Sequence, residues 1–140
     1  MNKIEFNTQI CTTIEQSKRL FELGLNPNIA DMSWVLAPIS SEYPHVSLIP
    51  YSETKNHITY NIIPAWSLHR LITMLPYKIN KSSNDASLLQ ITRIKDNCYV
   101  VGYYGYKVVE MPLFDAVIRL IEELIKDNLF NKEYLNETNK

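Results

Sequence analysis

The chain reads as an α+β protein, with an antiparallel sheet that includes a C-terminal three-stranded meander, packed by about three helices. Apolar residues recur at helical spacing in Leu68, Leu71, Ile72 and Leu75, and again in Leu113, Val117, Leu120, Ile121 and Leu124. Between these stretches, Leu88 to Glu110 is rich in β-branched and aromatic residues and is broken at Asp96-Asn97 and at Tyr104-Gly105, two tight-turn signals. No repeat or low-complexity tract divides the 140 residues, so one core over residues 1–130 and a polar tail over 131–140 are expected.

The first helix is expected over about 13–23. Thr13-Ile14-Glu15-Gln16 has the spacing of a capping box, and Gly24 stands where a C-terminal cap belongs. Ile14, Leu20, Phe21 and Leu23 form its packing face, opposite Glu15, Lys18, Arg19 and Glu22. Asn26-Pro27 opens a short helical turn, and Trp34-Val35-Leu36 is extended. Pro38, Pro44 and Pro50 interrupt helix and ladder alike across 37–57, leaving an irregular excursion with a short strand near Val46 to Ile49. Ile58 to Ile63 reads as a strand that ends at Pro64, and Ser67 caps a helix that Pro76 stops. Tyr77 to Ser87 is polar enough to read as a loop. The meander follows, with strands Leu88 to Lys95, Cys98 to Tyr103 and Tyr106 to Glu110. The last helix opens near Pro112, runs to about Asn128, and turns Asp115, Arg119, Glu122, Glu123, Lys126 and Asp127 to water. In the tail, Tyr134 and Leu135 have the character to dock an extra turn.

Two-residue turns at both hairpins set a definite register. Arg93 then faces Val100 and Val100 faces Val109, which places Tyr99, Val101, Tyr103, Tyr106, Val108, Ile94 and Leu88 on the helix-packed face. Arg93, Lys95 and Lys107 fall on the opposite, partly open face, because isolated buried cations are expensive.

Composition narrows the function more by exclusion than by assignment. Fourteen Lys plus Arg against fifteen Asp plus Glu leave a net charge of −1, so no global field recruits nucleic acid or an anionic membrane. None of the three glycines sits in a phosphate-binding loop, and no cofactor is expected. Cys11 and Cys98 are isolated, and His45, His57 and His69 are spaced too widely for a helical metal pair, so neither a metal centre nor a thiol nucleophile is expected. Trp34 and Trp66 have the area to stack a ligand, but Trp66, between Pro64 and the capping Ser67, reads better as packing onto Leu71. Polar residues and Glu5 occupy the place of a signal peptide's apolar run, which points to a cytoplasmic protein without a membrane partner.

Thr12-Thr13-Ile14-Glu15-Gln16-Ser17, Gly24-Leu25-Asn26-Pro27, Ala30-Asp31-Met32 with Trp34, and above all Pro64-Ala65-Trp66-Ser67-Leu68 carry a resemblance over most of residues 12–76. In these strings the chain resembles a group of short proteins from gut Bacteroidales and their phage-like or conjugative elements. The resemblance implies a genomic setting and brings no activity and no site residue with it.

The expected function is therefore that of a small non-enzymatic binding or accessory protein of a mobile element, acting on a protein partner or on a second copy of itself. Tyr43, Ile49 and Tyr51 in the proline-rich segment are the candidate contact residues, and a homodimer is the simplest assembly. The alternative is a nucleic-acid-binding module that uses Arg93, Lys95 and Lys107, and the second alternative is an enzyme with an unrecognised site.

Overall fold

The computed structural model describes residues 9–36, 45–47, 50–56, 61–82 and 85–136. Among them are three α-helices, α1 (Ile14–Glu22), α2 (Leu68–Met74) and α3 (Leu113–Lys126). Two antiparallel sheets accompany them. One holds β1 (Met32–Leu36), β2 (His45–Ser47) and β3 (Asn61–Ala65) in the order β2-β1-β3. The other holds β4 (Lys78–Ser82), β5 (Asp85–Lys95), β6 (Cys98–Tyr103) and β7 (Lys107–Met111) in sequence order. The α+β class is thus observed, and none of the described helices is long and apolar enough to cross a membrane.

The helix ends follow the local chemistry. The Thr13 hydroxyl accepts from the Gln16 N–H at 3.1 Å while the Gln16 side chain accepts from the Thr13 N–H at 3.0 Å, which satisfies two of the donors that a helix start leaves open. At the other end Gly24 adopts φ 100°, and the Leu25 N–H reaches back to the Leu20 carbonyl at 3.1 Å. Asn128 closes α3 in the same way, with φ 60° and a 2.8 Å bond from the Leu129 N–H to the Leu124 carbonyl. Ser67 caps α2 by accepting from the Arg70 N–H.

Four expectations are corrected. Tyr77 to Ser87 is not a polar loop: it contributes β4 and the start of β5, so the meander has four strands. Ile79 is the one apolar residue in the sequence of β4 and is buried in the core, and one apolar residue leaves no alternation to read. β3 does not end at Pro64 but runs through it to Ala65, with Pro64 opposite Ser33; β3 is an edge strand, where a missing donor is tolerated.

The third correction concerns register. Lys95 does face Cys98 across the Asp96-Asn97 turn, but a bulge between Arg93 and Lys95 shifts the ladder so that Arg93 faces Tyr99 and Ile91 faces Val101. The fourth is the next hairpin, whose loop is three residues, Tyr104-Gly105-Tyr106, with Gly105 at φ 79° and Tyr103 opposite Lys107. Each one-residue change swaps faces. Tyr99, Val101 and Tyr103 keep the inner face, but Val108, Ile94 and Leu88 move to the outer one, and Arg93 and Lys107 move to the inner one.

The main core joins α1, α2 and α3 to the inner face of β6. Leu20, Trp66, Leu71, Val101, Tyr103 and Leu124 are all fully buried in one cluster. A smaller cluster of Cys11, Met32 and Ala65, flanked by Trp34, sits on the other sheet. Residues beyond α3 rejoin the core: a turn at Lys132–Tyr134 leads to Leu135, which bridges Leu25, and the Asn136 N–H donates to the Gly24 carbonyl at 2.8 Å.

Candidate interaction surface

α3 lies against β6 and β7 on one side of the four-stranded sheet, and the other side faces outward. Alternation sends Gln90 and Thr92 of β5, Val100 and Gly102 of β6, and Val108 and Glu110 of β7 to that outer side. Its apolar residues are unusually open: Leu88 is 58% exposed, Val108 50%, Ile94 47% and Tyr104 67%. Ile94, Tyr104 and Val108 lie together around one hollow, whereas Leu88 lines a separate cleft with Tyr77, Lys78 and Leu129; contiguous exposure such as that of the first three marks contact surfaces. Among the described residues the charges on the face are Lys78, paired across from Leu88, with Lys95 and Glu110, a small positive excess.

A hollow of about 170 Å³ lies at the centre, with Gln90, Thr92, Ile94, Val100, Tyr104 and Val108 around Gly102. Gly102 creates it. A Cβ at this position would stand 2.2 Å from the Lys107 carbonyl oxygen and 2.7 Å from Val108 Cα, so β6 and β7 approach as they do only because no side chain intervenes. The clue in the sequence is a glycine inside a strand pattern, which marks a bulge or a close backbone approach.

The residues singled out from the sequence are dispersed. Tyr43 and Ile49 lie outside the described residues. Tyr51 is half-buried against the main core, its N–H donating to the Ala30 carbonyl at 3.3 Å. It lines a cleft of about 300 Å³ with Phe21, Ile62, Ile63 and Pro64. Phe21, expected on the packed side of α1, is 53% exposed there. The basic face is not assembled: Lys95 stays on the outer side, while Arg93 pairs with Asp96 at 2.6 Å on the inner side. Lys107 is held by Glu123 and, at 3.4 Å, by Asp127 of the α3 terminus.

The same contact corrects Glu123, which is expected at the wet face of α3 but is 7% exposed. It pairs with Lys107 and, at 3.1 Å, with Arg119, while the Tyr106 hydroxyl donates to Asp127 at 2.5 Å. The bond from Lys107 holds the Glu123 carboxyl below its ordinary pKa, and the same bond raises that of the lysine. The sign of the pH dependence follows. A depressed carboxyl stabilises the fold above the ordinary carboxylate pKa and loses that contribution as pH falls through its own lower value; the raised lysine stabilises below the ordinary lysine pKa and loses its share as pH rises past its own. Urea midpoints of the wild type and Glu123→Gln are therefore expected to differ at neutral pH and to converge well below about pH 4. A constant difference across that range would remove the pair from the acid response.

The strings that carry the resemblance meet in a buried polar knot. The Thr12 N–H donates to the Trp66 carbonyl at 2.9 Å, its hydroxyl accepts from the Trp66 N–H at 3.1 Å and shares a 2.7 Å bond with Ser17. Trp34 Nε1 donates to the Thr12 carbonyl at 2.8 Å, and both the backbone and the hydroxyl of Ser67 donate to Asp31. Trp66 is fully buried in the cluster that contains Leu71; its Nε1 has no partner among the described residues. These residues tie the N-terminal segment, β1, β3 and the start of α2 together. Their work in this arrangement is structural.

Cys11 lies beside the knot, 2% exposed, and burial, aided by the charge of Asp31, pushes its thiol up to about 11. A thiol of that pKa is almost wholly protonated near pH 8 and makes a poor nucleophile. One thiol, that of half-buried Cys98, is expected to react with a disulfide reagent in the folded protein, and Cys98→Ser is expected to react only after unfolding. Rapid labelling of the folded Cys98→Ser variant would contradict the buried placement of Cys11. Among the described residues no group of three or more His, Cys, Asp or Glu is placed to hold a metal ion.

No protein-family model matches the chain, and neither a curated protein nor a solved structure does.

Proposed function

We propose that the chain is a non-enzymatic accessory protein that works through protein contact, that the outer face of the β4–β7 sheet is its contact surface, and that a second copy of the chain is the first occupant. The observation that carries this reading is the clustered exposure of Ile94, Tyr104 and Val108 around one hollow, on a sheet face that no described helix covers. Charge supports self-contact. With a net charge of −1 overall and an excess of a single Lys on the face, two copies meet with little repulsion. One patch presented twice also closes into a symmetric dimer and does not propagate.

The area sets the strength. Four strands about 4.8 Å apart and about 20 Å long project roughly 400 Å² per copy, against about 800 Å² of accessible surface per partner in a standard interface. A contact at the small end of the range is reversible, with a dissociation constant on the order of 10 to 100 µM. The mobile-element setting implied by the resemblance suits an accessory role of this kind.

Sedimentation velocity from about 10 to about 500 µM tests the proposal, with a rising average mass expected for the wild type and none for folded Val108→Asp. A wild type that stays monomeric throughout overturns it. Association lost in an Ile49→Asp and Tyr51→Glu double variant but kept in Val108→Asp moves the contact to the proline-rich segment. The nucleic-acid alternative predicts a salt-dependent complex with random DNA or RNA that Arg93→Ala, Lys95→Ala and Lys107→Ala weaken.

A further inference from the structure

The hollow over Gly102 carries the self-contact reading one step further, to the residue that fills it. We infer that Tyr104 of one copy seats in the Gly102 hollow of a second copy, and that the exchange is reciprocal; the inference rests on the sheet face being the contact surface.

Size comes first. About 170 Å³ is below the roughly 300 Å³ at which small-molecule pockets begin, and it suits a single inserted side chain. Chemistry narrows the choice. The floor is the bare backbone at Gly102, the walls include Ile94, Val100 and Val108, and Gln90 and Thr92 supply polar atoms. An apolar ring with one polar tip fits that lining, which is the description of tyrosine.

The chain itself presents such a group at the edge of the hollow. Tyr104 is 67% exposed, whereas its loop neighbours are engaged: the Tyr103 hydroxyl donates to the Pro76 carbonyl at 2.5 Å and that of Tyr106 to Asp127. The Ser87 hydroxyl donates to the Tyr104 carbonyl, so the backbone of the loop is tied to β5 while the ring projects into solvent. Holding the backbone in advance lowers the ordering cost of binding.

Adjacency selects a second copy as the occupant. Because Tyr104 is itself part of the hollow's wall, a two-fold axis passing between the two features maps each onto the other's mate. Stacked sheets lie about 10 Å apart, a gap that side chains from both faces fill together. The two tyrosines then become the buried aromatic anchors of an interface whose area is otherwise modest.

The test compares sedimentation of the full chain as wild type, Tyr104→Ala, Tyr104→Phe and Val108→Asp, with Gly102 followed by amide NMR over the same concentrations. Tyr104→Ala is expected to weaken association about tenfold or more and Tyr104→Phe by less than about threefold. The Gly102 resonance is expected to shift with concentration in the wild type under the ring current of the incoming tyrosine, and to lose most of that shift in Tyr104→Leu. Association of Tyr104→Ala equal to wild type, while Val108→Asp remains monomeric, overturns the inference and leaves the contact surface standing. A Gly102 shift that survives in Tyr104→Leu also overturns it. Absence of association in the wild type overturns the contact surface and the exchange with it.

Discussion

Gly102→Ala is expected to lower the unfolding free energy by about 3 kcal/mol or more, a loss that combines backbone strain with overpacking. A Cβ at this position meets the Lys107 carbonyl oxygen at 2.2 Å and Val108 Cα at 2.7 Å, and both are backbone atoms that cannot rotate away. The residue also adopts φ 155°, which L side chains rarely reach. Relief requires β6 and β7 to separate at the Gly102↔Val108 pair, in the middle of the ladder that carries Val101 and Tyr103 into the core. Gly105 is the internal comparison. At φ 79° its Cβ would meet nothing closer than Ser87 Oγ at 3.5 Å, so Gly105→Ala is expected to cost only the left-handed backbone, about 1 kcal/mol. Urea midpoints that do not separate the two variants would show that the strands adjust freely.

Leu120→Ala and Leu124→Ala are each expected to cost about 2 to 5 kcal/mol. Both are fully buried where α3 meets the sheet and the other helices, so each truncation removes apolar contact and leaves a cavity in close-packed surroundings. Backbone bonding does not change, because the Leu124 carbonyl accepts from Leu129 and Phe130 whatever the side chain. Leu129→Ala, at a residue 40% exposed, is expected to stay within about half a kcal/mol. Equal losses at positions 124 and 129 would contradict the packing of α3.

Glu123 shows why a helical stripe is a guide and not a map. By spacing it belongs with Glu122 on the polar side of α3, and truncation there is expected to be nearly silent. In the folded chain β7 brings Lys107 across to it, and the carboxylate is covered as a result. Glu123→Ala leaves Lys107 with Asp127 alone and takes a partner from Arg119, so a loss clearly greater than that of an exposed carboxylate such as Glu15 is expected.

The helices were legible because their signals are local. A capping box, a glycine or asparagine past the last turn and a 3.6-residue apolar period act within a few residues, and all three helices lie where those signals place them. The strand character of 88–111 and the inward placement of Tyr99, Val101 and Tyr103 were legible for the same reason, since alternation is a property of one strand at a time. What one strand opposes is not local. The bulge at Ile94 and the third loop residue at Tyr106 each displace the ladder by one, and the period of two turns each displacement into an exchange of faces. Lys107 was drawn inward to Glu123, Val108 was turned out to solvent, and the hollow at Gly102 opened where the only clue in the sequence is a glycine within a strand. Composition and local spacing determined the class of fold and the helices; pairing between distant segments, which depends on backbone fit across the ladder, decided which face of the sheet was left open to solvent.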